Sequence, residues 1–423
     1  MAKLHRLVKS DDRQNTHVLT FILPVTIGSE AAKDIISTEF GCGYQKWNIS
    51  LIKQEKESHI GAYLSLKNPS PGVHVTCDYG FTMLNRGHYT ANESFMDSGK
   101  VFTKQQPTHG RKSFISTSDI KNPARGFIMD KDQLILEVTL CNFKTHFEYQ
   151  LQLPMTEKDR TKYPPNDVRL ETGFFPFGGM EWNVNLKINE RNPQDVRGGS
   201  TVTIKRLSNL EHYCKFKYRI HIGVIEPTPL SGTQPTPPKP VMHNPHKSQV
   251  ISSNDMDSLF IEENTQDKLV LPTNIYKLAT LKGVITIKIE CYQATLLTLL
   301  SIPMDRNRHR ALRCYDRDKQ AWLLEAHMKS DKLKFYIFYA DIGTVPRGCI
   351  RMMNIGVSVL PAYGNIKLVK AINSPYTKYY TQRPQDDFGL EIPTAIPMKD
   401  VSNAIFTILY ITCISICTHM DAY

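Results

Sequence analysis

The feature that most constrains this chain is its period of two. Short runs of Val, Ile, Leu, Phe and Tyr, continuous or alternating with polar residues, recur between clusters of Gly, Pro, Asn and Asp. The clearest are WNISLI (47–52), AYLSL (62–66), QLILEVTL (133–140), WNVNLKI (182–188), STVTIKRL (200–207), KFKYRIHIGV (215–224) and VITIKIECY (284–292). Every second side chain of a strand points the same way, so such a run buries one face and wets the other. Long amphipathic helical patterns are scarce. The expectation is an all-β chain of sandwiches or small barrels.

At 423 residues the chain has room for two to four domains. Two stretches break the strand pattern. TEKDRTKYPPND (156–167) is charged and then carries Pro164 and Pro165, which reads as a linker. Residues 227–249 are Pro-rich and read as an extended, solvated loop. A weak, ordered repeat spans the linker. Lys46-Trp47-Asn48-Ile49-Ser50-Leu51 returns as Glu181-Trp182-Asn183-Val184-Asn185-Leu186. AYLSLKN then matches STVTIKRLSN, and VTCDYGFTMLN matches YCKFKYRIHIG. The units end on DQLILEVTL and KGVITIKIE. The expected layout is a tail (1–16), a first unit (17–153), a linker (154–167) and a second unit (168–294) carrying the Pro-rich insertion. A third unit (296–400) and an apolar tail (401–423) follow.

Net charge is +11, which favours acidic peptides, RNA or anionic membrane without choosing among them. The nine cysteines are evenly spread with no CxxC pair, so zinc is not expected and reduced thiols in the cytosol are. MAKLHRLVKSDDRQ has no apolar core and does not read as a secretory signal. AIFTILYITCISIC (404–417) is too short to cross a bilayer as a helix, and its Ile and Thr content favours a final strand. A tail anchor and an unpacked alternative end are the other two readings of that segment. Stable membrane insertion is not expected. No phosphate-binding, dinucleotide, serine-hydrolase or metalloprotease motif occurs, so no catalytic residues, no cofactor and no enzyme activity are expected.

The ordered motifs of the first unit resemble the MATH (TRAF-C) domain, an eight-stranded antiparallel sandwich. They are Ser37-Thr38-Glu39-Phe40, Trp47, Tyr63-Leu64-Ser65-Leu66, Tyr79-Gly80-Phe81-Thr82-Met83-Leu84-Asn85, Phe114-Ile115 and Asp132-Gln133-Leu134-Ile135-Leu136-Glu137-Val138. The second unit shares the Trp, the middle strands, the last strand and the opening Phe174-Phe175-Pro176-Phe177-Gly178-Gly179. The resemblance implies binding of short extended peptides at a sheet edge. On this sequence the groove positions are Lys67, Tyr79, His109 and Arg111, a basic set suited to an acidic peptide. Trp47, Tyr63 and Phe81 read as core.

The third unit resembles an extended Tudor domain, an SH3-like barrel with flanking β elements. The motifs are Ala311-Leu312-Arg313-Cys314-Tyr315-Asp316, Ala321-Trp322-Leu323-Leu324-Glu325-Ala326 and YIFYADIGT (336–344). A third, degenerate MATH unit built on Trp322 is the alternative. The Tudor resemblance implies a methylarginine cage formed by Tyr315, Leu323, Tyr339, Asp341, Ile342 and Thr344. Leu323 and Ile342 replace aromatics of that pattern, and each lost ring removes about 0.5–2 kcal/mol of cation binding. The expected cage is therefore degraded. The expected function is a cytoplasmic, non-enzymatic scaffold for protein segments, plausible in an RNA-granule setting. A ubiquitin-ligase substrate adaptor and an RNA-binding protein are the alternatives.

Overall fold

The computed structural model describes residues 2–11, 16–28, 34–37, 39–53, 58–129, 132–154, 168–188, 200–208, 213–225, 251–252, 256–260, 267–271, 275–280, 282–300, 311–315, 321–327, 332–341, 343, 350–361, 370–371, 376–380, 390–397, 404–416 and 419–422. The Pro-rich insertion, Ile342 and Thr344 lie outside these.

The first ten strands are β1 (Ala2–Asp11), β2 (Thr16–Pro24), β3 (Ile35–Ser37), β4 (Phe40–Cys42), β5 (Gln45–Lys53), β6 (His59–Leu66), β7 (Val73–Met83), β8 (Glu93–Phe102), β9 (Thr108–Ser116) and β10 (Gln133–Gln152). They form two antiparallel layers. One runs β2–β10–β7–β8. The other runs from β3 and β4 through β5 and β6 to β9. Apolar side chains of both layers fill the space between them: Trp47 meets Phe102 edge-on at 5.0 Å, and Phe114 meets Phe95 at 5.4 Å. Trp47 and Phe81 are fully buried, as expected, while Tyr63 is only half-buried.

The second group comprises β11 (Val168–Glu171), β12 (Phe175–Phe177), β13 (Met180–Ile188), β14 (Thr201–Arg206), β15 (Tyr213–Gly223), β16 (Ile251–Ser252), β17 (Met256–Phe260), β18 (Asp267–Val270) and β19 (Val284–Leu300). One layer runs from β11 and β12 through β13 and β14 to β18. In the other, β15 lies between β19 on one side and β16 and β17 on the other.

The sequence repeat has a structural counterpart. The indole N–H of Trp47 donates to Cys42 O at 2.9 Å, and that of Trp182 donates to Phe177 O at 3.0 Å. The N–H of Ile49 donates to Ser37 Oγ, and that of Val184 to Thr172 Oγ1. All four positions are displaced by 135 residues (182 minus 47). The turns before these Trp strands repeat too. Gly43 and Tyr44 (φ 57° and 65°) match Gly178 and Gly179 (φ 64° and 75°). Two consecutive left-handed residues give a hairpin turn whose twist suits the flanking strands.

The remaining strands are β20 (Ala311–Tyr315), β21 (Ala321–His327), β22 (Lys332–Tyr339), β23 (Ile350–Pro361), β24 (Lys370–Ala371), β25 (Tyr376–Tyr380), β26 (Leu390–Pro397), β27 (Ala404–Ile416) and β28 (His419–Ala422). β20–β21–β22–β26 is a separate four-stranded antiparallel sheet, open rather than closed into a barrel among the described residues. The all-β class holds throughout. The expected third unit is divided, because β23 and β25 pair with each other and β23 pairs with β27, away from that sheet.

Both expected tails contain strands. β1 pairs with β2, with bulges at Leu4/Arg6 and Lys9/Asp11. The bulges absorb the uneven spacing of Leu4, Leu7 and Val8, which hides the alternation in the sequence. β27 pairs with β23, with the end of β19, and with β4. No helix among the described residues is long and apolar enough to cross a membrane.

A Cβ on Gly43 would overlap the ring of Phe143, and one on Gly178 would overlap Ala294 Cβ. Gly43→Ala and Gly178→Ala should each destabilise by roughly 1–3 kcal/mol through overpacking and positive φ. Guanidinium unfolding midpoints test this, and an unchanged midpoint in both variants would refute it.

Candidate functional site

The first unit has one margin closed and one open. On the closed side β1 pairs with β2 and β28, and β28 pairs with β3, joining the two layers. On the other side, β8 pairs with β7 and β9 with β6, and neither pairs with any other described strand. Three of the four sequence-predicted groove residues reach this margin, two on β9 and one through its hydroxyl.

Tyr79 is opposite Asp97 in the β7–β8 ladder. Its ring is fully buried among Phe81, Phe95 and Phe102, so it is core rather than the aromatic wall of a groove. Alternation puts it there: residues 75, 77, 79, 81 and 83 of β7 all face inward. Only its hydroxyl reaches the margin, donating to Asp97 Oδ2 at 3.1 Å. Burial and the neighbouring carboxylate charge raise the phenol pKa well above its usual value.

Arg111 of β9 spans the gap between the layers. Its Nη2 donates to Asp97 Oδ1 at 3.0 Å, and its guanidinium lies 4.5 Å from the centroid of the Phe95 ring. Partial burial would raise the Asp97 pKa, but hydrogen bonds from Arg111 and Tyr79 and the charges of Arg111 and Lys100 outweigh this and lower it. Nearly half of the Arg111 side chain is exposed (48%), and an ion pair so placed contributes little to stability. It can therefore be exchanged for another carboxylate. His109 bonds through Nε2 to Val101 O at 2.8 Å and meets Phe102 edge-on at 4.6 Å. Burial lowers its pKa below the free imidazole value, against the opposing effect of that backbone bond. Lys67 stands just past β6, half-buried, its backbone N–H on Lys46 O. Asp97, the residue that organises the cluster, was invisible in the sequence. Its partners lie 14 and 18 residues away and meet it only through strand pairing.

With this geometry in place, the family comparison is informative. Residues 25–140 match the MATH domain family model. The match spans the stretch from β3 into β10, which includes both strands of the open margin. The MATH fold is a protein-interaction module, not an enzyme family, and it implies protein partners. No curated protein matches the chain. A solved structure titled "Structure of infectious bursal disease virus Gx strain" is 8% identical, covering 98% of this chain and 82% of that chain. Its TM-score of 0.09 is too low to support any argument from it.

Of the second predicted pocket, Ile342, Thr344 and the side chain of Tyr315 lie outside the described residues, and the described Leu323 and Tyr339 are not brought together. Trp322 pairs with Tyr339, and Leu323 with Phe338, so Leu323 and Tyr339 point to opposite faces of the sheet. Tyr339 is buried and stacks on Trp322 at 4.3 Å, in one core with Leu324, Phe335 and Ile337. The carboxylate of Asp341 accepts the N–H of Ala321 at 2.5 Å, and the N–H of Ala340 donates to Ala321 O at 2.9 Å. Asp341 therefore clamps the turn after β22. Tyr315 pairs with Ala321 at the end of β20. The run YIFYADIGT is, over its described part, a core strand that enters a clamped turn.

Two outcomes follow. Tyr339→Ala should cost the β20–β22 sheet about 3–5 kcal/mol, read as loss of protection of its amides in hydrogen exchange; native protection would refute the core assignment. The ring protons of His109 should titrate with a midpoint below 6.5 in the full chain. Because its folded pKa is depressed, the stability it contributes is complete above the unfolded value and is lost as pH falls below about 6.5. A midpoint at or above 6.5 would contradict its burial against Val101 and Phe102.

Proposed function

We propose that the chain is a non-enzymatic interaction scaffold whose first unit takes an extended, acidic peptide segment at the β8/β9 margin. The open margin beside Arg111 carries this reading. An added strand would use main-chain groups of β8 or β9 that no described strand pairs, and a peptide carboxylate would compete with Asp97 for Arg111. The guanidinium has five N–H donors and uses one on Asp97, so it can hold both. Half-buried Lys67 and Lys100 and exposed Lys104 and Lys112 add positive potential.

The second unit acts in this reading as another module of the same kind, supported by the 135-residue recurrence of its hydrogen bonds and turns. The third, Tudor-like unit docks on a partner through its sheet surface, without a methylarginine cage. Five described cysteines, Cys42, Cys77, Cys141, Cys214 and Cys291, are buried, which suits a cytoplasmic setting. The +11 charge is the only support for RNA or an RNA granule, and the MATH match the only support for a ligase-adaptor role. Peptide is favoured over RNA at this margin because Glu93 and Asp97 lie among its cations.

Binding of a fluorescent acidic peptide library to the full chain tests the proposal. Selected peptides should bind about tenfold more weakly to Arg111→Ala, equivalent to about 1.4 kcal/mol, and more weakly at higher salt. Selection of neutral or basic peptides, or equal affinity for the variant, would overturn it.

A further inference from the structure

Cross-strand pairing places three metal-ligating side chains together on the face of β7 and β10 opposite the core. His74 pairs directly with His146. Glu148 follows two residues later on β10, so its side chain joins the same face. The intervening Phe147 points into the core, with Val73 and Val75 of β7. The two imidazoles stack with centroids 4.8 Å apart and planes 24° from parallel. One ligand atom from each of His74, His146 and Glu148 lies within 4.8 Å of the other two. His146 is buried (8% exposed) and the other two are half-buried. His74 Nδ1 and Glu148 Oε2 are buried without a hydrogen-bond partner among the described residues. An unpaired buried acceptor loses its hydration without compensation, so both atoms are better satisfied by a ligand.

We propose that His74, His146 and Glu148 form a binding site for a borderline divalent cation of the zinc class. Two imidazoles and one carboxylate are a donor set that zinc takes, with a fourth position left for water. Zinc–ligand bonds of about 2.0–2.2 Å place neighbouring ligand atoms roughly 3.3 Å apart in a tetrahedron. The three atoms must therefore close in by somewhat over an ångström, which side-chain rotation supplies.

The charges around the site are mixed. Glu290 pairs with His146 and Lys288 with Glu148 from the adjoining strand β19. Lys288 opposes a cation and Glu290 offsets it. The Glu290 carboxylate already accepts the Tyr292 hydroxyl at 2.9 Å and lies 3.5 Å from His221 Nε2, so it serves as an outer-sphere charge. The site sits where β10 leaves the first unit and pairs with β19 of the second. A cation there would hold the joint between the two units, a structural rather than a catalytic role.

The test is titration of the metal-free, reduced full chain with cobalt(II), a spectroscopic substitute for zinc, followed by displacement with zinc. One equivalent should bind, with visible ligand-field bands of a four-coordinate site and no thiolate charge-transfer band. Zinc should raise the unfolding temperature through linkage. Outer-sphere partners alone are worth ~10–100-fold in affinity, so His74→Gln and Glu148→Gln should each weaken binding by at least about tenfold. Both positions are half-buried, and unchanged circular dichroism will separate lost affinity from lost folding. Absence of saturable binding, a thiolate band, or equal affinity in both folded variants would overturn the proposal.

Discussion

A strand has two edges, and β10 fills both of them twice. Along residues 133–140 it lies between β2 and β7. Its register with β7 then shifts between Cys141 and Lys144, where Asn142 adopts φ 55°. Beyond the bulge β10 continues beside β7, but its other edge pairs with β19 from Thr145 to Gln152. One strand thus completes the first unit and joins it to the second. Asn142 Nδ2 donates to Asp78 Oδ2 at 2.6 Å, and Asp78 Oδ1 accepts the Gly99 N–H at 2.6 Å, tying the bulge to β7 and β8.

Two other features depend on that strand. The bulge carries Phe143 against Gly43, so the turn before Trp47 and the joint between units share one packing contact. The second half of β10 brings His146 and Glu148 beside His74 and faces them with Lys288 and Glu290. The open β8/β9 margin stands at the opposite end of the β2–β10–β7–β8 layer from β1 and β28, which close the other side. The geometry separates the joint from an edge that no described strand pairs. An exposed strand edge is a liability unless it is covered or charged, and Arg111 with Asp97 supplies the charge.

Trp47 and Trp182 were legible as matched core anchors because their local strings repeat, and both make matched hydrogen bonds. Arg111 was placed in the groove by the family resemblance, and its guanidinium lies at the open margin beside Asp97. Tyr79 and Tyr339 were misjudged. Each sits in an aromatic-rich strand, and the string does not say which of its two faces is buried. Tyr79 and Tyr339 pack inward with Phe81 and Trp322. β1 was missed because two bulges break its period, and β27 was one of three readings until its partners β23 and β19 were in view.

The sequence by itself determined the local structure: the all-β class, most strands, the turn glycines at 43 and 178, and the repeat. These follow from side-chain alternation and backbone sterics, which act over a few residues. Tertiary structure alone decided which edges pair, which stay open and which distant side chains meet. His74 and His146 are far apart in the chain and adjacent only through the β7–β10 register, and Asp97 meets Arg111 only across the gap between layers. Strand pairing is a non-local choice made by the whole core, and no short window of sequence contains it.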